Sequence, residues 1–203
     1  MMRKIIKYGC CVGLLFAALL ITSCKKDKVD PYIETWKQQN EKAFNDLAFN
    51  PDYTELRMPG SAGSIYYRVI QNGTGKRVFY NSRAEVYYKG WFVVNNSDYG
   101  KTAGTLFDHH LFDDGVTFKV AISSQAADNT YKLVYVEGWK IALEYMVEGD
   151  KWEVWIPYRY AYGVEGNSPT IPGYSTLAFE IELIKAIDPD EYNSSTSSGS
   201  SYY

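Results

Sequence analysis

The sequence predicts an α+β domain, an antiparallel sheet crossed by one short helix. Three observations carry this. In residues 177–184, Leu177, Phe179, Ile181 and Leu183 alternate with Ala178, Glu180, Glu182 and Ile184, the two-residue period of a strand with one buried face. Residues 84–94 form a longer, aromatic-rich strand. Between these runs the spacing changes: Trp139, Leu143 and Met146 fall at i, i+4 and i+7, and Gly149 follows where a helix would be capped.

The remaining elements follow in chain order. Pro31 suits the first turn of a helix, where a backbone N–H has no partner. Ile33, Trp36, Asn40, Ala43 and Leu47 recur at helical spacing, and Asn50-Pro51-Asp52 ends the run. One helix of this length cannot bury its own stripe, so it docks on its own domain or on a second molecule. Residues 64–70 read as a strand, closed by the turn Asn72-Gly73-Thr74-Gly75. Residues 95–103 form a polar loop, after which Thr105-Leu106-Phe107-Asp108 re-enters structure. Trp152, Val154 and Ile156 alternate with Glu153, Trp155 and Pro157 as another strand. From Asp188 the chain turns acidic and then serine-rich, which predicts a disordered tail over 188–203.

The first 30 residues bear on compartment. Arg3, Lys4 and Lys7 precede an apolar stretch from Val12 to Ile21, too short for a membrane span, and Leu20-Ile21-Thr22-Ser23-Cys24 follows. This is the grammar of a signal peptide over 1–23, and the cysteine at the cleavage point resembles a bacterial lipobox. Cys24 is then the lipidated residue, residues 24–30 a charged tether, 31–52 a helical extension and 53–187 the folded domain. The location expected is the bacterial cell envelope, on a membrane held through the lipid. Cys10 and Cys11 fall in the leader, so the mature chain has neither a disulfide nor a thiol nucleophile. The net charge of −3 comes with no basic stripe, which argues against a nucleic-acid partner.

Four segments, taken together and in order, resemble the FKBP family of peptidyl-prolyl cis-trans isomerases. They are Val86-Tyr87-Tyr88-Lys89-Gly90, Gly104-Thr105-Leu106-Phe107-Asp108, Val136 through Leu143, and the run from Met146 to Leu183. The last contains Ile156-Pro157, Tyr160-Ala161-Tyr162-Gly163, Ile171-Pro172 and Phe179-Glu180-Ile181-Glu182-Leu183. The resemblance covers residues 64–186. It implies a curved sheet of five to six strands wrapped around one short helix, with a proline pocket between them.

Carried over residue by residue, the resemblance makes Trp139 the pocket floor. Tyr88, Phe107 and Phe179 become aromatic walls, Asp108 and Tyr162 the polar groups, Val136 a backbone contact and Ile171 the lining of a flap. Val116 stands where an aromatic is usual, and Tyr135 beside Val136 replaces an aliphatic. The stretch 123–131, just before the pocket helix, is placed to cover or extend the cleft. The implied activity is isomerisation of Xaa-Pro bonds in proline-containing polypeptides, assisting folding of envelope or exported proteins. Macrolide inhibitors are implied ligands, and the expected state is a monomer.

The net reaction makes and breaks no bond, so no cofactor is required. His109 and His110 are the only histidines; adjacent residues in extended chain point to opposite faces, and no metal site is expected. A non-catalytic binding module or chaperone on the same scaffold is the alternative reading.

Overall fold

The computed structural model describes residues 30–57, 63–97 and 99–197. The expected leader, Cys24 and the tether up to Val29 lie outside these residues, as do residues 198–203.

In chain order the elements are α1 (Pro31–Asn45), β1 (Thr54–Leu56), β2 (Ile65–Gln71), β3 (Arg83–Phe92), β4 (Leu106–His110), β5 (Phe118–Ala121), β6 (Lys132–Leu133), α2 (Glu137–Leu143), β7 (Lys151–Ile156), β8 (Leu177–Ile187) and α3 (Pro189–Ser197). The strands form one sheet in the order β1-β2-β7-β8-β3-β5-β6, with β4 also pairing β3. The α+β expectation holds. The sheet is larger than five or six strands because the short β1 and β6 extend its edges, and β5–β6 is a parallel pair.

Strand β3 organises the molecule. Its burial alternates without a break, placing Ala84, Val86, Tyr88, Gly90 and Phe92 on the inner face. One edge pairs with β8 along the whole strand. The other edge forks: Arg83–Val86 pairs with β5 and Tyr88–Trp91 with β4. Tyr88 therefore sits where the sheet splits. In β4, Gly90 opposes Asp108 while Trp91 opposes Leu106, so Phe107 is the extra residue of a bulge. Bulges of this kind re-aim side chains.

Helix α2 lies across the concave face, burying Trp139, Ile141, Ala142 and Leu143. A Cβ at Gly138 would overlap the Ile156 side chain, so glycine is what lets the helix come this close to β7.

Helix α1 docks on its own domain, the first of the two alternatives its apolar stripe left open. Asp30 caps it by accepting from the Tyr32 N–H. Trp36, Asn40 and Leu47 are buried. The expected disordered tail is corrected over Pro189–Ser197, which is helical. Pro189 opens the turn, Glu191 pairs with Lys76 at 2.6 Å, and the Tyr192 hydroxyl donates to the Asn81 carbonyl. Among the described residues no helix is long and apolar enough to cross a membrane.

Candidate active site

A cavity of 490 Å³ opens between α2 and the concave face of the sheet. Trp139 forms its floor, 4% exposed. Three rings stand nearly perpendicular to the indole: Tyr88 at 4.8 Å and 83°, Phe179 at 5.4 Å and 89°, and Phe118 at 6.4 Å and 90°. Edge-to-face packing of this kind is favourable between aromatic quadrupoles and leaves a rigid, flat-bottomed apolar box.

Each wall is placed by an element. Tyr88 comes from the fork of β3 and Phe179 from β8, on the strand pair where Gly90 opposes Phe179. A Cβ on Gly90 would lie 2.7 Å from both Phe107 Cζ and Phe179 Cε1. Glycine at 90 is therefore what lets the two rings meet, 5.6 Å apart and at 89°.

The polar groups gather at the rim. The Tyr88 hydroxyl donates to Asp108 Oδ2 at 2.7 Å. Burial pushes the Tyr88 phenol well above the ordinary tyrosine range, and the bond to Asp108 and its charge add to this. Burial, then the Asp108 charge, likewise raises Tyr162. Both phenols are thus held as proton donors. The Trp139 Nε1–H is buried and has no acceptor among the described residues.

Seven of the residues expected from sequence line the cavity: Tyr88, Asp108, Tyr135, Val136, Trp139, Tyr162 and Phe179. Tyr135 does so from the rim, 84% exposed. Three do not. Phe107 stands behind the wall, packed on Phe92 and Phe179. Ile171 is buried in the core and exchanges backbone hydrogen bonds with Asn167; the flap residue that reaches the cavity is Asn167. Val116 is 61% exposed and lies away from it. The aromatic expected near that position is Phe118, two residues on, which packs 5.3 Å from Tyr88.

Phe118 was missed because the turn after β4 obscures register; its place at the start of an alternating run, Phe118 and Val120 facing inward, is the signal that finds it. The stretch 123–131 contributes nothing to the lining. Arg83 pairs with Asp128 at 2.7 Å, and the Tyr131 hydroxyl donates to Glu85, which ties this stretch to β3 instead. The two histidines sit on β4, where His110 stacks on Phe118 at 5.1 Å behind the cavity wall.

A larger cavity, 560 Å³, lies between α1, β2 and the segment 157–160. Its lining mixes the charged Glu41, Glu55, Arg57 and Arg159 with Phe44, Tyr66, Tyr158 and Tyr160, and it has no indole floor.

Known proteins agree with this architecture. The chain is 29% identical to the macrophage infectivity potentiator of Trypanosoma cruzi, over 88% of this chain and 82% of that protein. It is 32% identical to the FKBP-type 22 kDa peptidyl-prolyl cis-trans isomerase of Escherichia coli, over 61% of this chain and 50% of that one. A crystal structure of a peptidyl-prolyl cis-trans isomerase from Pseudomonas syringae superposes with a TM-score of 0.60 and 28% identity, covering 79% of this chain and 99% of that chain. The sequence profile of the FKBP-type peptidyl-prolyl cis-trans isomerases matches residues 75–184, more than half of the chain, and the protein belongs to that family.

Proposed function

We propose that the Trp139 cavity is where the isomerase acts, with a substrate proline ring lying on the indole between Tyr88, Phe118 and Phe179. The observation that carries this is the box itself: three rings nearly perpendicular to one buried indole, open on one side.

The chemistry asks for such a site. Rotation about a peptide bond is opposed by its partial double-bond character, with a barrier of about 18–20 kcal/mol. Exchange of an Xaa-Pro bond therefore takes on the order of tens to hundreds of seconds unaided. Acceleration requires the twisted amide to be bound better than the planar one. Twisting removes conjugation between nitrogen and carbonyl, so the amide becomes less polar, and an apolar aromatic box favours it.

The rotating carbonyl then meets a fixed donor. Tyr162 faces the cavity with its proton retained and supplies it. Asp108, oriented by Tyr88, sets the field at the rim. No step calls for a metal, a cofactor or a nucleophile.

Proline-containing polypeptides of the cell envelope, or in transit through it, are the substrates we assign. The pattern ending at Cys24 supports lipid attachment and an envelope location. A macrolide that seats an apolar ring in the same box would compete with the peptide. The stripe of α1 is used up on its own domain, which supports a monomer.

The deciding experiment follows cis/trans exchange of a short Xaa-Pro peptide with wild type and Asp108→Ala. A wild-type rate well above background, reduced in the variant, is expected. A wild-type rate equal to background would overturn the reading in favour of a binding module. Mass spectrometry of the protein purified from membranes tests the anchor: a diacylglyceryl adduct on Cys24 is expected, and an unmodified cysteine overturns it.

A further inference from the structure

Helix α1 touches both roots of the loop that carries Tyr162. At the entry root, Glu41 accepts from the Tyr158 hydroxyl at 3.3 Å and faces Arg159 at 3.6 Å. At the exit root, the Trp36 Nε1–H donates to the Gly173 carbonyl at 2.9 Å. One helical turn on, Asn40 binds Thr176 twice. Its side-chain Oδ1 accepts from the Thr176 N–H at 2.8 Å, and its carbonyl accepts from the Thr176 hydroxyl at 3.1 Å. Asn40 is completely buried and is itself fixed, its Nδ2 donating to the Trp36 carbonyl.

The loop between these roots needs such a grip. Tyr174 holds a positive φ of 62°, a conformation that a non-glycine residue keeps only when its surroundings impose it. Those surroundings include α1. Lys37 lies 5.7 Å over the Tyr174 ring, and Trp36 holds the preceding carbonyl. Within the loop, the Tyr174 N–H donates to the Gly163 carbonyl and the Gly163 N–H to the Tyr158 carbonyl. Gly163 adjoins Tyr162. A chain of contacts thus runs from Trp36 through Gly173 and Tyr174 to Gly163 and the Tyr162 side chain in the cavity.

We propose that α1 is a positioning element for the isomerase site, in which Trp36 and Asn40 hold the loop 158–176 so that Tyr162 faces the bound proline. This rests on the assignment of the Trp139 cavity as the isomerase site. Trp36 and Asn40 touch no substrate; they are positioning residues acting through the loop. The helix lies outside the stretch 75–184 that matches the family, so this part of the site is supplied by the chain's own extension.

The test compares Trp36→Phe, which keeps an apolar ring but removes the donor and part of the buried indole, with Asn40→Ala, each alone and combined with Tyr162→Phe. Thermal melts establish that each variant is folded. With Tyr162 present, a loss in kcat/KM of about 10-fold to 100-fold is expected, as for a small misplacement in a site. In the Tyr162→Phe background the same changes should cost little, because coupled residues are not additive. Faster backbone hydrogen exchange in 158–176 should accompany the loss.

Equal losses in both backgrounds would mean a general loosening of the fold and would overturn the proposal. So would unchanged kcat/KM, or unchanged exchange in 158–176. Should Asn40→Ala fail to fold, Trp36→Phe decides. An inactive wild type would overturn the site assignment alone, and loop exchange would then decide the positioning role by itself.

Discussion

The Tyr88 hydroxyl donates to Asp108 Oδ2 at 2.7 Å across the fork of β3, joining the aromatic wall of the cavity to its polar rim. The bond restrains the tyrosine ring and the carboxylate together. Removing either partner leaves the other half-buried without its mate, which is costlier than losing a solvated bond.

Tyr88→Phe should therefore lower kcat/KM for an Xaa-Pro peptide. A hydrogen bond to a charged group is worth about 1.5–3 kcal/mol, so a loss of roughly 10-fold to 100-fold is expected. Asp108→Asn, which keeps an acceptor for Tyr88, should retain more activity than Asp108→Ala. Peptide exchange kinetics on the three variants check the order. Because Tyr88 and Tyr162 both keep their protons beyond the ordinary phenol range, the wild-type rate should not fall as pH rises toward 10.

Gly90→Ala should damage both fold and site. The new Cβ would meet Phe107 and Phe179 at 2.7 Å, and both rings must shift. Overpacking of a core costs about 1–3 kcal/mol. A lower urea midpoint is expected, together with weaker peptide binding, since Phe179 is also a wall of the cavity.

The parts legible in the sequence were those with a long, unbroken period. β3 alternates over its ten residues and β8 from Phe179 to Leu183, so the period alone puts Phe179 on the buried face, while Tyr88 follows from the family resemblance. Trp139 followed from helical spacing within the family pattern. What escaped lies where the period breaks. The bulge at Phe107 turns that ring behind the wall. The turn at Phe112–Gly115 hides the offset between Val116 and Phe118. The two-residue β6 is too short to show a period at all. In the flap, Ile171 is bridged to Asn167 and buried in the core, and Asn167 is the residue that reaches the cavity. Side-chain direction in a turn depends on backbone geometry that composition does not encode.

The outer face of the sheet predicts a pH response. Glu153 accepts from Tyr53 and Trp155 and pairs with Arg68. Burial pushes its carboxyl up, but these donors and the Arg68 charge outweigh it and hold the value below the ordinary carboxylate range. A depressed folded value stabilises the protein above the unfolded value, about 4.3, and that contribution is lost as pH falls through the folded one. Tyr53 is pushed the other way, to about 12, by burial first and Glu153 second. Its contribution is present below the ordinary phenol value, about 10, and is lost as pH rises through about 12. Urea midpoints measured from pH 7 down to pH 3 should fall for wild type. Glu153→Gln should start lower at pH 7 and show a shallower acid limb.

Val116 and Phe118 separate two placements of the cavity wall. Val116 is 61% exposed, and surface changes of this kind are nearly neutral, so Val116→Ala should keep kcat/KM within about twofold of wild type. Phe118 packs on Tyr88 at 5.3 Å and faces Trp139 at 6.4 Å. Phe118→Ala removes both ring contacts, each worth about 0.5–1.5 kcal/mol beyond its buried area, and widens the box. A loss in kcat/KM on the order of 10-fold follows, carried mainly by KM because the lost surface grips the proline ring in ground and transition states alike. Phe118→Leu refills part of the volume and should recover part of the affinity. A large effect at Val116 with none at Phe118 would move the wall of the site back into the exposed turn, contrary to the packing of Phe118 between Tyr88 and Trp139.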